Sequence, residues 1–246
     1  MKKLVGYITA GVLEDSATKD LILSMKESGV DAIELGVPFS DPVADGPVIE
    51  KASGIALANG FRFNRIYDIT SAVSSDVDML WMGYFNSFYQ KGIDNIALKA
   101  KGVGLKGLII PDLPFEEAAL YQDVMRTNNV ALIDFVAPTD TKERIAQLTQ
   151  MSQYFIYLVA YAGITGAGQK EDLTKIIENI RTYSNTPLFV GFGVNEKTAK
   201  EKASGVNGVI VGSAFVQILI DNQLTTAQKI DKISQLTRSI KERINS

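Results

Sequence analysis

Glu34 and Asp45 are the residues whose type and setting best suit proton transfer in this chain. They stand eleven positions apart within the segment Ile33–Pro47, IELGVPFSDPVADGP. Glu34 is flanked by Ile33, Leu35 and Val37, near the end of an apolar run that reads as a strand. A carboxyl withdrawn from water there should titrate above its usual value of roughly 4.3. Holding its proton near neutral pH, it could act as a general acid. Asp45 sits in a loop stiffened by Pro38, Pro42 and Pro47 and relieved by Gly46. That loop is long beside the roughly 2–6 residues usual for such a connection, and long, constrained loops are common places for active sites. Two carboxyls in unlike surroundings can divide the work, one protonated and one ionised. The plainer alternative makes Glu34 a structural carboxylate in a polar interior layer. Asp41 and Asp45 are then turn residues of ordinary Asp-Pro and Asp-Gly type.

What the composition lacks sharpens this reading. The 246 residues include no His and no Cys. Disulfides, thiolate nucleophiles, Fe–S clusters and Cys-bound zinc are thereby excluded, along with the commonest general base and metal ligand. Proton chemistry must come from Asp, Glu, Lys or Tyr. No carboxylate spacing resembles a calcium loop, so no metal is expected. The net charge of −3 gives no reason to expect nucleic acid or an anionic membrane as partner. No apolar run approaches the roughly 20 residues that span a bilayer. The opening MKKLVGYITAGVLEDS has two lysines, a short strand-like stretch and then acidic residues, which does not read as a signal peptide. The expectation is a soluble, cytoplasmic protein.

A second kind of chemistry is suggested by glycine. Three glycine-bearing segments follow the last three apolar runs: AGITGAG at 162–168, GFG at Gly191–Gly193 and GSA at Gly212–Ala214. Glycine lets backbone N–H groups approach an anion, and a helix starting after Gly212 would add its dipole. These segments are expected to hold a phosphate, with Gly163 to Gly166 also reading as a hinged lid. Sharp turns alone would equally account for glycine at these places.

The elements that must position these residues follow from hydrophobic pattern. Short, mostly continuous apolar runs are expected as strands at Val5–Thr9, Ala32–Leu35, Met79–Met82, Gly107–Ile110, Ala131–Phe135, Phe155–Val159, Leu188–Val190 and Gly208–Val211. Amphipathic stretches alternate with them. Ser16–Ser28 is expected to be capped by its serine, Phe115–Arg126 to follow Pro114 with Glu116 and Glu117 in its first turn, and Thr141–Met151 and Glu171–Arg181 to behave similarly. Eight strands, each followed by helix, is the count of a closed TIM (β/α)8 barrel rather than an open doubly wound sheet. With no linker or compositional shift, residues 1–246 read as one α/β domain. Chemistry in such barrels gathers at the carboxyl ends of the strands.

ELGVPFSDPVADGP at 34–47, together with YLVAYAGITG at 157–166, GFGV at 191–194 and VGSAFV at 211–216, closely resembles the signature of the tryptophan synthase alpha subunit family, in order and over nearly the whole chain. The resemblance implies a lyase of tryptophan biosynthesis that cleaves indole-3-glycerol phosphate to indole and glyceraldehyde 3-phosphate by a retro-aldol reaction. It implies that Glu34 protonates indole carbon three and shares in deprotonating the glycerol hydroxyl. Asp45 accepts the indole N–H and stabilises the cationic intermediate, and Tyr157 is the active-site tyrosine. Thr165 positions the catalytic aspartate, and Gly166, Gly193, Gly212 and Ser213 form the phosphate site. It further implies a beta-subunit partner in an alpha2-beta2 heterotetramer, docking on Asp41 and Asn86. Pyridoxal phosphate belongs to that partner and no cofactor to this chain.

The chain departs from the family pattern in three places. The family's amphipathic helix before the first strand is mostly missing, which would leave apolar residues at the barrel's amino face exposed or shielded by a neighbour. Gly11-Val12-Leu13 stands where Gly-Asp-Pro is usual, and Tyr161 stands where the lid commonly has Arg. These departures bear on stability and regulation more than on the reaction. Two rivals remain. Another phosphate-binding barrel enzyme would want a lysine at a strand end, and the long second loop has none. A non-catalytic barrel that only activates a partner would not need both Glu34 and Asp45.

Overall fold

The computed structural model describes residues 1–150, 152–159 and 173–246. Nine parallel strand segments form one sheet: β1 (Lys3–Thr9), β2 (Ala32–Gly36), β3 (Asp78–Met82), β4 (Gly107–Ile109), β5 (Ala131–Leu132), β6 (Asp134–Val136), β7 (Ile156–Val159), β8 (Leu188–Gly191) and β9 (Gly208–Val211). Their order is β5-β4-β3-β2-β1-β9-β8-β7-β6. β5 and β6 stand at the two ends of that order, yet only Ile133 separates them in the chain. They are two halves of the single strand expected at Ala131–Phe135, the first paired with β4 and the second with β7. The Ile133 amide still donates to Leu108 O at 3.0 Å. The sheet therefore closes on itself, and the expected eight-stranded α/β barrel is the architecture found.

Alternation along the strands sorts side chains into two shells. On β2, Ile33 and Leu35 pack outward with helix residues such as Leu21, Met25 and Ile66 in the large core between strands and helices. Ala32 points inward, joining Val5, Leu80, Ile109, Tyr157, Phe189 and Ile210 inside the barrel. Strands covered on both faces need apolar residues on both, which is why these runs read as continuous rather than alternating.

Helix boundaries depart from expectation in instructive ways. The first helix runs Asp15–Glu27 with Glu14 at its N-cap and no side-chain cap, so Ser16 lies inside it and caps nothing. The stretch after Pro114 is broken into a helix at Phe115–Ala118, a 3-10 turn at Ala119–Tyr121 and a helix at Gln122–Thr127. The next helix is Lys142–Gln150, where Thr141 Oγ1 accepts from the Arg144 amide at 3.2 Å. The following one is Thr174–Tyr183, starting later than Glu171, which lies outside the described residues. The clearest capping is on the last helix, Thr226–Ile244, where Thr225 and Gln228 form a reciprocal box.

β1 begins at Lys3. Toward the amino end the barrel interior is filled by aromatic rings. Phe155 stacks on Phe189 with ring centroids 4.6 Å apart. Around them lies a polar rim. Tyr154 donates to Asp78 at 2.6 Å, and Asp31 accepts from the Leu4 amide at 2.8 Å and from Lys3 and Lys241. No helix in the described residues is long and apolar enough to cross a membrane.

Candidate active site

Glu34 follows Ala32 by two positions, so its side chain points into the barrel, one rung closer to the carboxyl end. In register it stands between Tyr7 on β1 and Leu80 on β3. Only 2 % of its surface is exposed, and among the described residues its Oε1 has no hydrogen-bond partner. Burial pushes the carboxyl up to about 8. At neutral pH Glu34 is thus mainly a neutral acid, as its apolar flanks in sequence suggest.

Asp45 lies at the end of the loop that β2 feeds, two residues before the helix Pro47–Ala58, whose Pro47 occupies the first turn. It is partly buried, and desolvation raises its carboxyl to about 6. A hydrogen bond from Tyr84 works against that rise, and the negative charge of Glu50 adds to it. Tyr84 is buried, accepts from the Ala44 amide at 2.9 Å and stacks on Phe39 with centroids 5.2 Å apart. One side chain after β3 thus braces the second loop at Phe39, Ala44 and Asp45. At pH 7 Asp45 is mostly ionised while Glu34 is mostly protonated.

Tyr157, on β7, is 8 % exposed and tilts against Phe135 with centroids 5.0 Å apart. Its hydroxyl lies over Gly191 at the end of β8, where no Cβ could fit. Burial, then the charges of Glu34 and Asp45 and the nearby Tyr7, keep this phenol protonated well above its usual range. Tyr7 repeats the arrangement from β1. It is 5 % exposed, its hydroxyl lies over Gly36 at the end of β2, and it feels both Asp45 and Glu34. Four ionisable groups, Glu34, Asp45, Tyr7 and Tyr157, therefore converge on the carboxyl end of one barrel.

The glycine segments flank this cluster. Gly193, with φ of +69°, follows Phe192, itself at φ +68°, and both are exposed. Gly212 caps the helix Ser213–Leu219 and lies against Tyr7 and Ile49, while Ser213 is exposed at the helix start. β8, β9, β1 and β2 are consecutive neighbours in the sheet, so Gly193, Gly212, Tyr7 and Glu34 lie along one arc of the rim. In this helix the Phe215 amide already donates to Gly212 O at 2.9 Å, which leaves the Ser213 and Ala214 amides as the first-turn groups that could face an anion. Thr165, Gly166, Tyr161 and the lid segment fall outside the described residues. Asp41 is exposed in the second loop, and Asn86 is exposed in the helix Phe85–Tyr89. Among the described residues no group of three or more His, Cys, Asp or Glu is arranged to hold a metal ion.

Tyr7 and Tyr84 are the site residues that sequence reasoning missed. Tyr7 sits in a strand already expected, two positions past inward-facing Val5, so inward parity was its available signal. Tyr84 lies just beyond β3, where no pattern marks its reach to Asp45.

A closed parallel barrel with a buried acid, a second carboxyl and a glycine-rich rim at its carboxyl end defines an α/β-barrel enzyme. Comparison with known proteins narrows the class. A family model described as the tryptophan synthase alpha chain matches residues 1–245. The tryptophan synthase alpha chain of Wolinella succinogenes is 54% identical over 247 residues, covering 100% of this chain and 97% of its own length. Among solved structures, the tryptophan synthase alpha subunit of Campylobacter jejuni is 32% identical with a TM-score of 0.86, covering 96% of this chain and 95% of that one. A tryptophan synthase structure from Mycobacterium tuberculosis is 31% identical with a TM-score of 0.89, covering 100% and 93%. The chain belongs to the tryptophan synthase alpha chain family.

Proposed function

We propose that Glu34 and Asp45 divide the proton chemistry by which this chain cleaves indole-3-glycerol phosphate into indole and glyceraldehyde 3-phosphate, the alpha reaction of its family in tryptophan biosynthesis. Glu34 gives its proton to carbon three of the indole ring, leaving a cation whose charge reaches the ring nitrogen. Asp45, ionised, accepts the indole N–H and stabilises that cation. The Glu34 carboxylate then takes the proton of the adjacent glycerol hydroxyl. The carbon–carbon bond breaks, its electrons return to the ring, and the hydroxyl carbon becomes the aldehyde. The acid is restored for the next cycle.

The observation that carries this reading is the buried carboxyl of Glu34, whose Oε1 has no partner among the described residues, raised to about 8 while the Asp45 carboxyl is raised only to about 6. Tyr157 is read as walling the indole side, and Gly166, Gly193, Gly212 and Ser213 as holding the phosphate ester, with Thr165 positioning Asp45. Residues 1–246 act as one domain. The family works with a beta subunit. Asp41 and Asn86 are read as part of the docking surface for it in an alpha2-beta2 heterotetramer, with pyridoxal phosphate held by the beta subunit and the complex in the cytoplasm. The test is release of indole from indole-3-glycerol phosphate by the purified chain, alone and with a beta subunit. Indole release that Glu34→Gln abolishes supports the reading, and unchanged turnover by that variant overturns it.

A further inference from the structure

Tyr7 and Glu34 present complementary unused hydrogen-bonding capacity on one rung of the barrel. They are register partners on β1 and β2 and point to the same interior. The Tyr7 hydroxyl accepts from Thr9 Oγ1 at 3.4 Å, and among the described residues its own proton has no acceptor. Glu34 Oε1 is buried and has no donor among the described residues. Gly36 and Gly212 hold the tyrosine ring between them. The hydroxyl lies so close over the first that no Cβ would fit there, while the second leaves the base of the ring at ordinary packing distance.

Resting on the reading of Glu34 as the acid, we propose that Tyr7 is a positioning residue for that carboxyl, turning its free hydroxyl proton onto Glu34 once the glutamic acid has given up its own. While Glu34 is protonated the bond is not needed, and the orphaned oxygen is that of a neutral group. Once Glu34 is ionised in a dry interior, an uncompensated carboxylate is costly, and a neighbouring phenol is the donor within the same rung. The hydroxyl then acts on the charged form only, which helps the proton leave without changing how substrate binds. Other groups face the same space: Asp45 from the second loop, Tyr84 after β3, Tyr157 from β7 and Thr9 from β1. Asp45, ionised at neutral pH, has no proton to donate to Glu34. Tyr84 is engaged with Asp45 and Ala44. Tyr157, the other phenol, also feels the charge of Glu34 but comes in from β7 and is not its register partner.

The experiment is a side-chain carbon-13 NMR titration of Glu34 in the full chain carrying labelled glutamate, its resonance assigned by loss in Glu34→Gln. In Tyr7→Phe the Glu34 midpoint rises by half a unit or more, and the alkaline limb of kcat moves up with it while KM changes less than twofold. A Tyr7→Phe chain that melts normally yet leaves the Glu34 midpoint in place, or lowers it, overturns the proposal. Thr9→Val, which removes the donor to the Tyr7 oxygen and leaves both partners intact, gives a smaller rise in the same direction. No movement in either variant is equally fatal. The titration does not depend on turnover, so full activity in Glu34→Gln would sink the catalytic reading separately.

Discussion

The hydroxyl of Tyr157 rests on the Cα of Gly191, with no space for a methyl group between them. A strand-end residue on β8 thereby fixes where a phenol from β7 stands above the acid. Gly191→Ala forces Tyr157 out of that position. Because small misplacements of positioning groups are expensive, kcat/KM for indole release is expected to fall at least tenfold while far-ultraviolet circular dichroism stays native. Wild-type kinetics in a folded variant would detach Tyr157 from the site.

Glu34→Gln keeps the shape and loses the proton. Indole release is expected to drop by about 10²–10⁴-fold, the usual contribution of a general acid–base group. A loss of only a few-fold would return Glu34 to the role of structural carboxylate.

The two carboxyls also set a pH profile. The proposed mechanism requires Glu34 protonated and Asp45 ionised, so kcat/KM should be bell-shaped, falling as pH rises through about 8 and as it drops through about 6. Tyr84→Phe removes the hydrogen bond that holds Asp45 down, so the acid limb should move to higher pH and the alkaline limb stay. Stopped-time indole assays from pH 5 to 9.5 read both, and an acid limb unmoved in Tyr84→Phe would refute the brace.

The same burial makes Glu34 a pH-dependent burden on folding. Its folded value stands above the unfolded value of 4.5, so the stability it contributes is complete below that pH and is lost as pH rises toward 8. Glu34→Gln should therefore melt at or above the wild type at pH 8.5, and lose that advantage at pH 5. The gap is expected to be a few kcal/mol at most. Parallel melting curves at both pH values would contradict it.

Asp134 behaves alike outside the site. It is 7 % exposed, faces a cavity between β4, β6 and the helix Lys142–Gln150, and is raised to about 6 by burial against a hydrogen bond from Ser152. The stability it contributes is present below about 3.8 and lost as pH climbs through 6. Asp134→Asn, which can still accept from Ser152, should raise stability at pH 8 by about 1–3 kcal/mol. Urea unfolding at pH 5 and 8 checks the sign.

Much of this was legible in residue order because strands buried on both faces announce themselves as unbroken apolar runs. Ala32–Leu35 and Gly208–Val211 needed nothing more, and Glu34 showed itself by being charged within such a run. The fifth strand read as one piece because hydrophobicity does not record that Ile133 is where pairing passes from β4 to β7. Ser16 read as a cap because capping depends on where the backbone leaves the helix, and here it leaves at Glu14. The Phe155–Phe189 stack inside the barrel joins residues 34 positions apart, a contact that local pattern does not encode. Tyr7 and Tyr84 stayed hidden for the same reason. A tyrosine's reach toward a carboxyl is settled by packing across strands, not by its neighbours in sequence.

Asp31 gathers a lysine from the third position, an amide from the fourth and a lysine from position 241. The first two are near neighbours in the chain, whereas the last stands 210 positions beyond Asp31. One carboxylate therefore closes a very long loop, which carries a larger entropic cost than the two short ones. The seam at the foot of the first and second strands is tied in this way to the helix Thr226–Ile244, so that main-chain pairing and a distant helix share one fastening point.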